Sequence, residues 1–183
     1  DPVREGCDFI GWDTDYSSIE EDITVTAQYN TNKYTVRFED YDGTELDVKE
    51  VEHGNAVVPP ETPTREGDTF IGWDKSIDNI TGNTVIKATY QINEYTVTFV
   101  DYDGSVIDTQ SVKYQQSAAL PENPTRIGYT FKEWQGTWEN ITEDTTVTAT
   151  YVINTYRVDF VDYDGTLIVS QSVEYGKGAT APE

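Results

Sequence analysis

The sequence repeats itself at a fixed step of 61 residues, and its 183 residues make three such steps. The tetrapeptide Asp-Tyr-Asp-Gly starts at Asp40, at Asp101 and at Asp162. The same step relates three tryptophans, Trp12, Trp73 and Trp134. A fixed period of this length is typical of tandem structural units and not of a single enzyme domain. The chain is therefore predicted to be an array of small, similar domains.

The phase of the repeat predicts two complete repeats flanked by two halves. Residues 1–30 are predicted to be the second half of a repeat (strands 3 and 4), 31–91 and 92–152 complete repeats, and 153–183 the first half (the hairpin of strands 1 and 2). A domain of about 60 residues buries only about 60% of its unfolded surface, so contacts with neighbours are expected to stabilise each repeat. We expect the sequence to be a window on a longer array. Alternatively, the halves of different chains complement each other head to tail, because an open strand edge recruits further strands.

Composition argues against several classes of function. The 34 acidic and 12 basic residues give a net charge of −22, which opposes binding to nucleic acid or to an anionic membrane surface. No stretch approaches the roughly 20 apolar residues that span a bilayer, so no membrane insertion is expected within this segment.

The chain has one cysteine, Cys7, and one histidine, His53, and the other repeats have different residues at both positions. Neither a disulfide framework nor a catalytic set can be assembled from them. We therefore predict that the chain is not an enzyme. His53 aligns with Tyr114 and Tyr175, and we interpret it as an aromatic substitute.

Alternating apolar residues predict four strands in each repeat. In the repeat 31–91, Tyr34, Val36 and Phe38 alternate with polar residues, and Asp-Gly joins this run to a second alternating run, which is a strong hairpin signal. The proline-rich stretch 56–67 excludes a helix of more than about one turn and predicts an ordered crossover loop. Further strands are predicted at 68–73 and 85–90, with copies of the fourth strand at 23–29 and 145–151.

Two hairpins joined by a crossover predict a mainly β fold, α+β at most, in which each repeat is a small four-stranded sheet. Only residues 91–94 separate the last tyrosine of one repeat from the first tyrosine of the next. So short a linker restricts bending. Since a repeat of this size is about 25 to 30 Å across, three repeats are expected to form an elongated rod of roughly 75 to 90 Å.

Several motifs recur together along the whole chain: an opening Tyr-x-Val-x-Phe, a central Pro-Thr-Arg-x-Gly-x-x-Phe-x-x-Trp and a closing tyrosine. The central motif runs from Pro63 to Trp73 and again from Pro124 to Trp134. In this combination the sequence resembles the Listeria–Bacteroides repeat family, relatives of the internalin B-repeat. The resemblance implies a β-grasp, ubiquitin-like fold and a place in tandem arrays on secreted or cell-surface proteins of bacteria. It also implies a role as a stalk or adhesion module, without catalysis.

The Asp-x-Asp-Gly turns offer candidate metal ligands, since paired carboxylates beside a glycine turn open many calcium loops. The weak candidates for Ca²⁺ are Asp40, Asp42, Asp101, Asp103, Asp162 and Asp164. An EF-hand-type loop also needs a bidentate glutamate at its twelfth position, which counted from Asp40 is Val51. A hairpin turn with acidic rims explains the same residues. We therefore predict no cofactor, with Ca²⁺ as the weaker alternative.

The aromatic residues of the third strand present a conflict of direction. Phe70 and Trp73 are three residues apart, so on a regular strand their side chains point to opposite faces. A bulge marked by Gly72 would turn the tryptophan inward, although Glu133 stands at this position in another repeat. We expect the tryptophans to pack on their own repeat or its linker. The alternative is an exposed row that contacts the next repeat, a neighbouring chain or a carbohydrate.

Three functional hypotheses follow. The leading one is an extracellular stalk or fibre at the bacterial cell surface, within a longer array or assembled head to tail from copies of the chain. A second is a multivalent adhesion module that binds a host or matrix protein or a glycan. The identities between repeats cluster at apparent core and turn positions, which favours the stalk. The third is the head-to-tail filament itself, made by strand addition between complementary half-repeats.

Overall fold

The computed structural model describes all 183 residues and consists of strands, turns and loops, without a helix. No segment therefore forms a helix long and apolar enough to cross a membrane. There are twelve strands: β1 Cys7–Trp12, β2 Ala27–Thr31, β3 Lys33–Glu39, β4 Glu45–Glu52, β5 Asp68–Trp73, β6 Thr84–Ile92, β7 Glu94–Val100, β8 Val106–Lys113, β9 Tyr129–Gln135, β10 Thr145–Ile153, β11 Thr155–Val161 and β12 Leu167–Glu174. The predicted mainly β fold of small tandem sheets is confirmed.

The chain divides into two compact units, Asp1–Gln91 and Ile92–Glu183. The first contains a two-stranded sheet, β1-β2, and a four-stranded sheet of order β4-β3-β6-β5. The second contains a four-stranded sheet of order β8-β7-β10-β9 and a two-stranded sheet, β11-β12. We call the four-stranded sheets the complete repeats, β1-β2 the N-terminal half-repeat and β11-β12 the C-terminal half-repeat. The predicted domain boundaries stay a prediction.

Each complete repeat is two hairpins held together by one parallel pair of strands. In the first, β3 pairs antiparallel with β4 and parallel with β6, with Val36 opposite Thr84 and Glu39 opposite Lys87. In the second, β7 and β10 pair in the same way. The crossover between the hairpins is irregular, as its prolines require. The β-grasp name that the family resemblance implies stays a prediction.

The core lies under the central strands, as the alternation predicts. Val36, Phe38 and Ile86 are fully buried in the first complete repeat. In the second complete repeat, their counterparts are Val97 and Phe99 on β7 and Val147 on β10, which are also fully buried. Crossover residues and loop isoleucines close these clusters, including Val57, Ile80, Ala118 and Ile141.

One strand differs from the sequence expectation. A fourth strand was expected at 23–29, but β2 begins only at Ala27. In the complete repeat, the equivalent residues Thr84 to Lys87 are a strand because they pair in parallel with β3. The sheet of the N-terminal half-repeat contains only β1 and β2, so no strand stands beside residues 23–26 as β3 stands beside β6. Strand formation at 23–26 therefore depends on a neighbour and not on local alternation.

The linkers are shorter than expected. Residues 91–94 were expected to separate the repeats, but β6 ends at Ile92 and β7 begins at Glu94. Likewise, a single residue separates β2 from β3 and β10 from β11. Each of these single residues is an asparagine: Asn32, Asn93 and Asn154.

Candidate functional site

The Asp-Tyr-Asp-Gly segment forms the tight turn of the first hairpin. Asp40 N–H donates to Thr44 O at 2.8 Å, and Gly43 N–H donates to Asp40 O at 3.0 Å. The Asp42 side chain caps the turn, because its Oδ1 accepts the Thr44 N–H at 2.9 Å. Gly43 has a φ of +89°, which explains the glycine at this place.

The turn tyrosine stacks on the arginine of the central motif. The Arg65 guanidinium lies 3.7 Å from the centre of the Tyr41 ring, and Arg126 lies 3.6 Å from that of Tyr102. Arg65 Nε is also 3.1 Å from Asp68 Oδ2. A guanidinium over a tyrosine face is attracted by the ring quadrupole. Two motifs that lie far apart in sequence thus meet at one place.

The closing tyrosine completes the same cluster. Tyr90 Oη donates to Asp40 Oδ1 at 2.7 Å, and Tyr151 Oη donates to Asp101 Oδ1 at 2.7 Å. We call each set a turn–arginine cluster. Its members are Asp40, Tyr41, Arg65 and Tyr90 in the first complete repeat and Asp101, Tyr102, Arg126 and Tyr151 in the second. Sequence reasoning missed this role of the arginine, and the signal was its recurrence together with the turn tyrosine.

The environment of each cluster keeps its closing tyrosine protonated. Burial, the hydrogen bond to Asp40 and the charge of Asp40 raise the pKa of Tyr90 to about 12. Burial and Asp101 likewise raise the pKa of Tyr151 to about 12. These phenols are therefore hydrogen-bond donors at neutral pH and not general bases.

The aspartates proposed as calcium ligands serve the turn. Asp40 and Asp101 accept the tyrosine hydroxyls, and Asp162 accepts the N–H of Tyr163 at 2.7 Å. The other three, Asp42, Asp103 and Asp164, cap their turns through a backbone N–H two residues later. Hydrogen bonds with that residue lower the pKa of each aspartate, from its hydroxyl and then its N–H at Asp103 and Asp164 and from its N–H first at Asp42. No group of three or more His, Cys, Asp or Glu side chains is arranged to hold a metal ion. The turn geometry explains the aspartates without an ion, and the weak Ca²⁺ candidacy stays a prediction.

We call the place where one sheet meets the next a junction. The contacts there explain why the central motif has a glycine. In the first unit, Asn32 N–H donates to Gly6 O at 2.9 Å and His53 N–H donates to Asn32 O at 2.8 Å. A Cβ added to Gly6 would overlap the His53 ring, and Gly6 has a φ of +68°. Cys7, beside this glycine, is a free and half-buried thiol.

The second unit has the same junction with a tyrosine in place of the histidine. Asn154 N–H donates to Gly128 O, and Tyr175 N–H donates to Asn154 O. A Cβ at Gly128 would overlap the Tyr175 ring. His53 therefore occupies the place of an aromatic ring packed on glycine, as its alignment predicted, and the asparagines link adjacent sheets.

The third-strand tryptophans of the complete repeats pack inside their own repeat. Trp73 lies 4.8 Å from Phe38 between ring centres, and Trp134 is only 7% exposed. A bulge resolves the conflict of direction, since Phe131 faces Tyr151 while Glu133 faces Thr150. Lys132 is the extra residue. The expected inward packing is thus found in both complete repeats. In the second, the bulge forms with Glu133 at the position that Gly72 holds in the first.

The loop of the second hairpin carries a core residue in each complete repeat. Ile80 and Ile141 are buried, and each is bonded through its backbone to the crossover. In the first complete repeat, Gly54 N–H donates to Ile80 O at 2.8 Å and Ile80 N–H donates to Asn55 O at 3.0 Å. The loop reaches this position through asparagines with φ near +50°. Those residues are Asn79 and Asn140.

Known proteins share this repeat. The chain is 28% identical over 94% of its length to a protein of Evansella cellulosilytica provisionally named a Gly-rich membrane protein, and 30% identical over 89% to another provisionally named a membrane protein. It is 38% identical over 61% of its length to Internalin H of Listeria monocytogenes. The matches cover 24%, 29% and 21% of these proteins, so the chain spans about a quarter of their length.

The family model of the Listeria-Bacteroides repeat domain matches residues 34–93 and again 95–155, which together are about two thirds of the chain. Each match contains one opening hairpin, one crossover and one closing hairpin. The turn–arginine clusters and the packed tryptophans lie within these matched segments. The chain belongs to the Listeria-Bacteroides repeat domain family.

Proposed function

We propose that this segment is a structural spacer of a bacterial surface protein, a stalk or fibre of β repeats that holds other parts of the protein away from the cell. The observation that carries the proposal is where the recurring residues lie. The turn–arginine cluster, the glycine and asparagine of the junctions and the core phenylalanines all make contacts within the protein. These residues therefore recur because each repeat needs them to fold or to connect to the next repeat. A repeated ligand site is not needed to explain them.

The extracellular location rests on the relatives. Two of them are named as membrane proteins and one as an internalin, and each is several times longer than this chain. A segment that fills about a quarter of such proteins suits a spacer. The net charge of −22 suits it as well, because self-repulsion keeps a surface stalk soluble and unaggregated.

We assign no enzymatic role to the segment. Its tyrosines with raised pKa donate to aspartates within the turn–arginine clusters, so they are occupied in holding two hairpins together. His53 packs on Gly6 at a junction, and Cys7 has no counterpart in the other repeats.

Small-angle X-ray scattering tests the spacer proposal. A compact globule of 183 residues has a radius of gyration of about 16 Å, whereas a rod of roughly 75 to 90 Å has one well above 20 Å. The spacer predicts the larger value at dilute concentration, unchanged between low and high salt. A value near 16 Å would exclude a stalk made of this segment.

The alternative of an adhesion module has one observation in its favour. Ile10 and Ile71 stand one step apart, and their side chains are 58% and 61% exposed. A repeated exposed isoleucine provides apolar contact area for a multivalent partner. The test is an array of matrix proteins and glycans probed with the labelled chain and with an Ile10→Lys, Ile71→Lys variant. Adhesion predicts a signal that the variant loses, and the absence of any wild-type signal would reject it on that array.

A further inference from the structure

We propose that the first complete repeat binds the free carboxylate at the end of a peptide, in a groove between β4 and the crossover. The groove is lined by residues 49–52 of β4, residues 55–58 of the crossover and Lys33. Its volume is about 560 Å³, within the range of small-ligand sites, roughly 300 to 1,000 Å³. The spacer role needs no ligand, so this inference goes beyond it.

One substitution distinguishes this groove from the same place in the second complete repeat. Lys49 stands where the second repeat has Gln110, one step of 61 residues later. Gln110 bridges β8 and the crossover, because Nε2 donates to Ala119 O at 2.7 Å and Oε1 accepts the Ala119 N–H at 2.9 Å. Gln171 makes the same pair of bonds with Thr180.

A lysine makes only one of these two bonds. Lys49 Nζ donates to Val58 O at 2.7 Å, as Gln110 Nε2 donates to Ala119 O. Because an ammonium group is not an acceptor, the Val58 N–H has no hydrogen-bond partner within the protein. Val58 is also an exposed residue, so a ligand can approach it. The first complete repeat therefore has an unpaired backbone donor where the second has a closed bridge.

The donors in the groove favour a carboxylate. Two of the three protons on Lys49 Nζ are directed to Val58 O and to Asp47 Oδ2, which is 3.2 Å away, and the third is left for a ligand. With the Val58 N–H, the groove thus offers one charged and one neutral donor side by side. A carboxylate accepts both through its two oxygens, and charge-assisted hydrogen bonds are roughly twice as strong as neutral ones.

Acidic residues also border the groove. Glu50 and Glu52 alternate with Lys49 along β4, so their side chains point to the opposite face of the sheet. Lys33 lies opposite Glu52 in the pairing of β3 with β4. Asp47 pairs with Lys49, which leaves the local charge near neutral while the whole chain carries −22. Binding is therefore expected to be weak and to strengthen as salt screens the long-range repulsion.

The rest of the groove suits a peptide better than a free anion. Val51 and Val57 line it and are only 9% and 3% exposed, which gives an apolar surface beside the donors. β4 is also the edge strand of its sheet. An extended peptide can lie along such an edge, with main-chain hydrogen bonds for affinity and a pocket for a side chain. The carboxylate then meets Lys49 and Val58 where the groove ends.

Amide NMR with a synthetic peptide tests the site. The probe is an N-acetylated tetra-alanine with a free carboxylate, and its matched control is the same peptide with an amidated end. We expect the free carboxylate to shift the Val58 amide resonance saturably, with a dissociation constant of about 1 mM. The amidated peptide should bind about tenfold more weakly, because it lacks the charge that Lys49 recognises.

Sodium acetate at the same ionic strength separates a peptide from a simple anion. Acetate carries the carboxylate without the chain that would lie along β4, so it should bind more weakly than the peptide. Equal affinities would show binding of an adventitious anion only and would overturn the peptide assignment. Equal binding of the free and amidated peptides would overturn the carboxylate site, and so would a Val58 resonance that none of the probes shifts.

Exchanging the two bridging residues gives the sharpest test. Lys49→Gln copies the second repeat and should weaken binding of the peptide about tenfold without unfolding the chain. Lys75→Gln, outside the groove, makes the same change of net charge and should leave binding unchanged. Gln110→Lys should transfer the response to the Ala119 amide. Retained affinity in Lys49→Gln, or no response at Ala119 in Gln110→Lys, contradicts the proposal. None of these results affects the radius of gyration that tests the spacer.

Discussion

The complete repeats and the half-repeats carry the same motifs but cover their apolar faces to different extents. Phe38 and Phe99 are fully buried, whereas their equivalent Phe160 is half-buried. Trp134 is 7% exposed and Trp12 is 42% exposed. The strand equivalent to β6 also begins four residues late in the N-terminal half-repeat. In this chain, the closed cores lie where two hairpins pair in parallel.

The largest expected difference between a complete repeat and a half-repeat is the loss of stability when the core phenylalanine is replaced by alanine. Phe99→Ala leaves a cavity in a closed core and should lower the free energy of unfolding by about 3 to 5 kcal/mol. Phe160→Ala removes a half-buried ring and should cost less than about 2 kcal/mol. Hydrogen exchange of the peptides covering β7–β10 and β11–β12 measures the two losses. Equal losses would contradict the distinction drawn from burial.

The next largest effect on stability is expected at Gly128, the glycine that lies under the Tyr175 ring at a junction. Gly128 and Gly104 both have φ above +75°, so alanine should cost about 1 to 2 kcal/mol at either position through backbone strain. At Gly128 the added methyl also overlaps the Tyr175 ring, while Gly104 faces open space. Gly128→Ala should therefore cost about 1 to 3 kcal/mol more than Gly104→Ala.

Thermal denaturation of the four chains in a double-mutant cycle, with Tyr175→Ala as the second substitution, isolates the junction contribution. Removing the ring should relieve the extra cost of Gly128→Ala. If the double variant is as unstable as the sum of the single variants, the ring does not press on Gly128.

A smaller effect is expected at the stacked arginines. Arg126→Ala removes a guanidinium 3.6 Å from the Tyr102 ring and should lower the free energy of unfolding by about 0.5 to 1 kcal/mol. Arg4→Ala removes a guanidinium 5.8 Å from the centre of the Tyr29 ring and should change the free energy of unfolding by less than about 0.5 kcal/mol. Urea denaturation at one salt concentration compares them. A larger loss for Arg4→Ala would reverse the ranking of complete and half-repeat clusters.

The closing tyrosines Tyr90 and Tyr151 are expected to make the stability of the protein fall at alkaline pH. The pKa of Tyr90 and that of Tyr151 are raised to about 12 from the ordinary value of 10.0, so the folded state holds these protons more tightly. Their contribution to stability is full below pH 10 and is lost as the pH rises from 10 towards about 12. Ultraviolet absorbance of tyrosinate should show a late-ionising fraction. Tyr90→Phe and Tyr151→Phe should each reduce that fraction, and an unchanged titration would contradict the assignment.

Calcium is expected to have the smallest effect. The carboxylates of Asp40 and Asp42 accept hydrogen bonds within the turn–arginine cluster and the turn, and no third carboxylate joins them. Melting temperatures in EDTA and in millimolar calcium chloride should therefore agree. An upward shift in calcium that Asp40→Asn and Asp42→Asn abolish would establish a calcium site at the turn.

The strands and turns were predictable because their signals are local. Alternation from Tyr34 to Phe38, a glycine at Gly43 and prolines in the crossover each act over a few residues. The same reasoning overestimated the strand at 23–29, because alternation shows which face is apolar and not whether a partner strand is present. It also left open the direction of the third-strand tryptophans, which for Trp134 depends on a bulge set by the pairing of β9 with β10.

The candidate site was less predictable because it joins distant parts of the chain. The sequence identified the aspartates and tyrosine of the turn and the arginine of the central motif as recurring residues, but it gave them no common role. The bond from Tyr90 to Asp40 spans 50 residues, and the stack of Arg65 on Tyr41 spans the whole crossover. Such contacts exist only once the parallel pair of strands has formed.

By itself, the sequence determined the 61-residue period, the hairpins, the irregular crossover and the family, because these follow from residue spacing and local backbone preference. Only the tertiary structure decided that the turn and the arginine form one cluster and that Gly6 and Gly128 lie under aromatic rings. It also decided that residues 23–26 remain outside the sheet. The physical reason is that these features depend on contacts between hairpins, and a repeat with one hairpin lacks the partner that would bury its core.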